Sequence, residues 1–173
     1  MPYNQSMNNK DPLATSGLPS LNRLKELKDD TKQGEVVSQP GGRFLILVVD
    51  DSADNVAVMS LHLQDQGYKV VTASNGEEAI SVAAQTRPNL ILMDISMPGM
   101  DGLAATRRIR ESDELREVPV IAVTALGTEG FQRAAYDVGV SGYITKPVDF
   151  DRMHILVARL LSRSESGNLS DQV

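Results

Sequence analysis

Several apolar runs of this chain end in polar residues whose chemistry matches. FLILVV leads into Asp50-Asp51, NLILMD ends on Asp94, VPVIAVTA carries Thr124-Ala125, and GYITK ends on Lys146, followed by Pro147. Taken singly, each is a run leaving a core, with a polar residue as its first wet position. Taken together, three carboxylates, a hydroxyl and an ammonium form a set with a use. Three neighbouring carboxylates carry about −3 and repel one another, whereas one Mg²⁺ at about +2 and Lys146 at about +1 bring the sum near neutral. Magnesium takes one or two protein carboxylates, keeps several waters and accepts phosphate oxygens. A spare carboxylate oxygen is then left as nucleophile for phosphoryl transfer, with metal and ammonium stabilising charge on the phosphoryl oxygens.

Composition excludes several other chemistries. The chain has 173 residues, 41% of them hydrophobic, enough for one core with some extra sequence. A net charge of −6 opposes a nucleic-acid surface, which needs basic charge against phosphates. Without cysteine there is no disulfide, thiol nucleophile or thiolate metal site. With only His62 and His154 as imidazoles, a metal is expected to be a hard ion held by oxygen. FLILVV, the longest wholly apolar run, is too short to span a bilayer, and the N-terminus lacks a signal pattern. The expectation is a soluble, cytoplasmic chain with neither a nucleic-acid nor a membrane partner.

These polar residues must be positioned by elements, and the pattern supplies them. Short runs at 44–49, 68–73, 89–94, 118–125 and 142–146 are rich in Val, Ile and Leu and bounded by turn residues. Between them lie segments with helical spacing. They are Val56, Met59, Leu61 and Leu63; Glu77 to Ala84; Leu103 to Ile109 with Arg107, Arg108 and Arg110 outward; Phe131 to Val138; and Met153 to Leu161. Asn75 or Gly76 is expected to start the second helix, and Asp149 to cap the last. Strands alternating with helices imply a doubly wound parallel sheet, an α/β fold. Ligands in such sheets bind beyond the carboxyl ends of the strands, which gathers the polar set on one edge.

Outside this pattern, residues 1–42 are polar, carry four prolines and end in the breaker QPGG, so they are expected to form a disordered leader. Within them Leu18, Leu21, Leu24 and Leu27 recur every three residues, a stripe that drifts around a helix. Residues 43–162 make the domain, and 163–173 read as a flexible tail.

The motifs ILVVDDSADN, ILMDISMPGMDG, VIAVTA and GYITKPV, in this order, resemble those of the receiver domains of two-component response regulators. The resemblance covers roughly 43–161, and its wording is closest to receivers of hybrid kinases and of single-domain phosphorelay regulators. It implies a flavodoxin-like (βα)5 fold with strand order 2-1-3-4-5. It implies Asp94 as phosphoacceptor, taking a phosphoryl group from a histidine kinase or histidine phosphotransfer protein. It assigns Mg²⁺ (or Mn²⁺) to Asp51, Asp94, the backbone carbonyl of Ser96 and Asp50, the last partly through water. Lys146 would pair with one phosphoryl oxygen and Thr124 with another, and the peptide before Pro147 would be cis. Tyr143 falls at the aromatic switch position, and the output face would comprise the fourth helix, fifth strand and fifth helix, near Phe131, Tyr136 and Phe150. The chain would be a stand-alone signalling receiver, monomeric or dimerising on phosphorylation, and no enzyme beyond its own phosphoryl transfer and autodephosphorylation.

Duller readings stand beside these. Tyr143 also suits a half-buried strand aromatic, Thr124 a loop cap, His62 and His154 surface or packing positions, and Met93, Met97 and Met100 core or loop filler. Ser96 and Leu126 flank the pocket, and an apolar Leu126 is expected to hinder the water that hydrolyses an acyl phosphate. A flavodoxin would need a Ser/Thr- and Gly-rich phosphate loop where DDSADN stands. A haloacid-dehalogenase-type phosphatase needs a second Asp two residues after the first, where Ser52 or Ala53 stands. No GxxxxGK[ST] occurs. A phosphorylation-independent binding scaffold on the same fold is the remaining alternative.

Overall fold

The computed structural model describes residues 40–167, all within the unit Ser38–Val173. The leader read over 1–42, its leucine stripe included, lies outside the described residues apart from the short 3₁₀ turn Pro40–Arg43. Five strands alternate with five helices. The order is β1 (Leu45–Val49), α1 (Ala53–Asp65), β2 (Lys69–Ala73), α2 (Gly76–Thr86), β3 (Leu90–Asp94), α3 (Gly102–Glu111), β4 (Val120–Thr124), α4 (Glu129–Asp137), β5 (Gly142–Thr145) and α5 (Phe150–Gly167). All strand pairs are parallel, in the order β2-β1-β3-β4-β5. This is the flavodoxin-like arrangement expected from the motifs.

The strands form here because their residues suit burial on both faces. β3 and β4 are buried throughout, while the edge strand β2 is half-wet. The two-residue side-chain period divides the core. Leu47, Ile91, Met93, Ala122 and Tyr143 pack with Ala79, Ala83, Ala105, Ile109 and Ala135 of α2, α3 and α4. On the opposite face Ile46, Val48, Leu92, Ile121 and Ile144 pack with Met59 and Leu63 of α1 and Met153, Val157 and Leu161 of α5. Each fully buried side chain of this size contributes about 1.5–3 kcal/mol of apolar burial.

Helix starts follow local chemistry. Ser52, Asn75, Asp101 and Asp149 each accept a hydrogen bond from a backbone amide three residues on, satisfying first-turn donors. Glu78 reaches back to the amide and hydroxyl of Ser74 at 2.8 and 2.6 Å, which draws its carboxyl pKa down. The last helix continues to Gly167, past the 162/163 boundary read from polarity. Ser162 and Arg163 are exposed in this helix, and polarity alone does not end a helix.

Arg110 is a correction. It was expected outward with Arg107 and Arg108, yet only those two are exposed. Arg110 Nε and Nη2 donate to the Gly139 carbonyl at 3.1 and 2.8 Å, and Nη1 donates to Val118 O at 2.9 Å. The chain turns into β4 and β5 here, leaving carbonyls that need donors, and a guanidinium supplies several from one side chain.

Candidate functional site at the carboxyl edge

The sheet order places β1 between β2 and β3, so β1 and β3 end side by side and deliver Asp50 and Asp94 to one edge. Both carboxylates are buried, at 1% and 3% exposure, whereas Asp51 is exposed. Ligand oxygens of Asp50, Asp51 and Asp94 lie within 4.8 Å of one another. Such an all-oxygen, all-carboxylate set fits a hard divalent cation and suits neither zinc nor copper.

Burying two carboxylates costs free energy unless each is paired and hydrogen-bonded. Lys146 Nζ, from the residue after β5, donates to Asp50 Oδ2 and Asp94 Oδ2 at 2.8 Å each. Burial by itself lowers the pKa of Lys146, but the hydrogen bonds and charges of Asp50 and Asp94 outweigh it and hold the ammonium above the ordinary lysine value. Asp50 Oδ1 also accepts from Ser52 N at 2.9 Å, and Asp94 Oδ1 from Ser96 N at 3.0 Å. The Lys146–Pro147 peptide is cis.

The loop after β3 is shaped by contact with Asp94. Gly99 has φ +76, and a Cβ on Gly102 would lie 2.1 Å from the Asp94 carbonyl oxygen, so only glycine lets α3 start there. Met97 is buried, and Met93 and Met97 belong to the core.

Thr124, fully buried at the end of β4, accepts from the Leu126 amide at 3.1 Å, a local loop cap. Tyr143 is buried on the α2–α3–α4 face, and its hydroxyl donates to the carbonyl of Leu126. Burial raises the Tyr143 pKa, and a hydrogen bond with Thr124 acts in the opposite direction. The ring therefore lies inward, tied to the loop that Thr124 begins.

Asp50, Asp51, Asp94 and Lys146 are thus gathered at one place, Ser96 borders it through its amide, and Thr124 and Tyr143 form a linked pair beside it. His62 stands apart, stacked on Phe150 at 3.8 Å between ring centres. Asn55 is the member that the sequence reading missed. Its Nδ2 donates to both oxygens of Asp50, at 3.0 and 3.2 Å. A polar residue in the first turn of the helix after DD was the available signal.

Comparison with known proteins agrees with this geometry. Residues 46–158 match the family described as response regulator receiver domain. The response regulator PleD of Caulobacter vibrioides is 39% identical over 118 residues, covering 68% of this chain and 26% of PleD, so the chain spans about a quarter of that relative. The polar-differentiation response regulator DivK of Brucella anthropi is 37% identical over 107 residues, covering 62% of this chain and 87% of DivK. The receiver domain of sensor histidine kinase PA1611 from Pseudomonas aeruginosa, solved with magnesium coordinated in its active site cleft, matches with TM-score 0.65 and 33% identity, over 69% of this chain and 98% of that one. With its strand order, its acidic edge and its lysine after β5 all in place, this chain belongs to the receiver-domain family of two-component response regulators.

Proposed function

We propose that this protein accepts a phosphoryl group on Asp94 from a phosphohistidine of a histidine kinase or phosphotransfer protein and signals through its α4–β5–α5 face. The observation that carries the reading is Lys146, whose Nζ bridges Asp50 and Asp94 at 2.8 Å beside a cluster of three carboxylates. An oxygen of Asp94 forms the new bond to phosphorus as the bond to the donor nitrogen breaks. β3 holds that oxygen still, which turns an encounter into a near-attack geometry. Asp50, Asp51, Asp94 and the Ser96 carbonyl would hold Mg²⁺ or Mn²⁺, which when bound supplies positive charge against the phosphoryl oxygens. Lys146 supplies a second positive charge, and the Thr124 hydroxyl a neutral donor once it exchanges its present partners.

The signal follows from that exchange. Thr124 moving toward the phosphoryl group releases the Leu126 amide, and Tyr143 is bonded to the same residue's carbonyl. Charge at one site thereby biases packing at the start of α4, a two-state element. Leu126 and Tyr136 are exposed large side chains on or beside α4, available to a partner.

Incubation with Mg²⁺ and acetyl phosphate, followed by intact mass, tests the assignment. One phosphate adduct is expected, absent from Asp94→Asn and from chelator-treated protein; an adduct that survives Asp94→Asn would overturn it. Leu126, half exposed at the rim, offers the attacking water no polar partner. Leu126→Glu or Leu126→Asn is expected to shorten the adduct lifetime by roughly tenfold, less than the roughly hundredfold minimum of a true general base because the new group only orients the water. An unchanged or longer lifetime would remove Leu126 from the account.

A further inference from the structure

Asn55 has half of its polar capacity committed and half uncommitted. Its Nδ2 donates to both oxygens of Asp50. A carboxylate offers only acceptors, so the amide must present nitrogen to Asp50 and cannot flip. The carbonyl Oδ1 faces away from Asp50 and takes no hydrogen bond among the described residues. Asn55 also walls a cavity of about 250 Å³ that it shares with Val58, Met59, Lys146 and Phe150. Lys146 Nζ lies 2.8 Å from Asp94, so this cavity opens one side chain away from the acceptor.

Resting on the reading of Asp94 as phosphoacceptor, we propose that Asn55 Oδ1 accepts the distal N–H of the donor's phosphoimidazole ring and so favours nitrogen-borne phosphoryl groups over acyl phosphates. The apolar side chains of Val58, Met59 and Phe150 suit a flat ring, and Lys146 suits the phosphoryl group it carries. The transfer balances without a proton entering or leaving. The Asp94 carboxylate bonds to phosphorus, the P–N electron pair stays on the ring nitrogen, and the distal N–H is retained as the ring departs neutral. An acceptor at that N–H stabilises the protonated phosphoimidazole, the form with the better leaving group. An acyl phosphate departs as a carboxylate, which has no donor to offer Asn55 Oδ1.

The test compares initial rates of adduct formation from phosphoimidazole and from acetyl phosphate in the full chain with Mg²⁺. The ratio of the two rates cancels whatever a substitution does to Asp50. Asn55→Ala is expected to lower the ratio, phosphoimidazole over acetyl phosphate, by roughly tenfold, the loss for one hydrogen bond to a charged group. Asn55→Lys returns a donor to Asp50 but offers no acceptor, so its ratio should stay low. Equal slowing with both donors, or recovery of the ratio in Asn55→Lys, would overturn the proposal and leave Asp94 as acceptor. An unmodified protein that takes phosphate from neither donor would overturn both readings.

Discussion

The two ends of the sheet each hold a partly buried cation, and they hold it in opposite ways. At the carboxyl edge Lys146 sits between two carboxylates, with Asp51 and solvent nearby. At the other end Arg110 is bound by neutral carbonyls of Gly139 and Val118. Burial lowers the Arg110 pKa, and the more distant Glu117 charge acts in the opposite direction. An ammonium between charges can be displaced by another cation, because the carboxylates gain comparable energy from either. A guanidinium matched to several carbonyls has no such competitor, since its fork geometry is what satisfies them. One end is built for exchange and the other for permanence.

Removing the permanent cation should cost most. Arg110→Ala leaves the carbonyls of Gly139 and Val118 without their donor, and we expect a loss of about 3 kcal/mol in denaturant unfolding. Added divalent cation should not restore it. A loss below about 0.5 kcal/mol, the range of ordinary surface changes, would show that water replaces the guanidinium freely.

The backbone at this end gives the next effect. Gly139 has φ +101, and a Cβ there would lie 2.9 Å from Arg110 Nε, so Gly139→Ala meets both backbone strain and a pinned neighbour. About 2 kcal/mol is expected. In Arg110→Ala the same substitution should cost less, which a double-mutant cycle measures. Additivity would separate the glycine from the arginine.

The exchangeable cation should show the smallest of the three losses at neutral pH, and a loss that depends on pH. Lys146→Met leaves two buried carboxylates facing each other. Because Lys146 is partly exposed and each carboxylate keeps a backbone amide donor, the cost is about 1.5 kcal/mol, the lower end for hydrogen bonds to charged groups. Excess Mg²⁺ should recover part of it. The folded pKa of Lys146 is raised, so its stabilisation is complete below the ordinary lysine value of 10.5 and is lost as pH rises through the higher folded value. The gap between the native protein and Lys146→Met in unfolding experiments should therefore close at strongly alkaline pH. A gap that widens there would reverse the assigned direction.

Much of this was legible in the chain because it depends on local pattern. FLILVV and NLILMD are apolar without alternation, which means burial on both faces, and each ends where its carboxylate stands. Asn75 and Asp149 were readable as caps because capping acts over three residues. Arg110 was not readable, since its partners Gly139 and Val118 come from other turns of the chain, and a charged residue near a helix end looks solvated until those carbonyls arrive. Asn55 escaped for a related reason: its role is defined by Asp50, which only the first turn of α1 brings within 3.0 Å.

By itself, the sequence determined the alternation of strands and helices, the order of the motifs and the residues at the strand ends, because hydrophobic period and turn chemistry are local properties. Strand order was inferable only through resemblance. Tertiary structure decided which of those residues touch. It decided that Lys146 bridges Asp50 and Asp94, that the Tyr143 ring lies inward against the Leu126 carbonyl, and that Arg110 turns in to close the opposite end. Those contacts join residues far apart in the chain, and their energies exist only once the sheet has set them side by side.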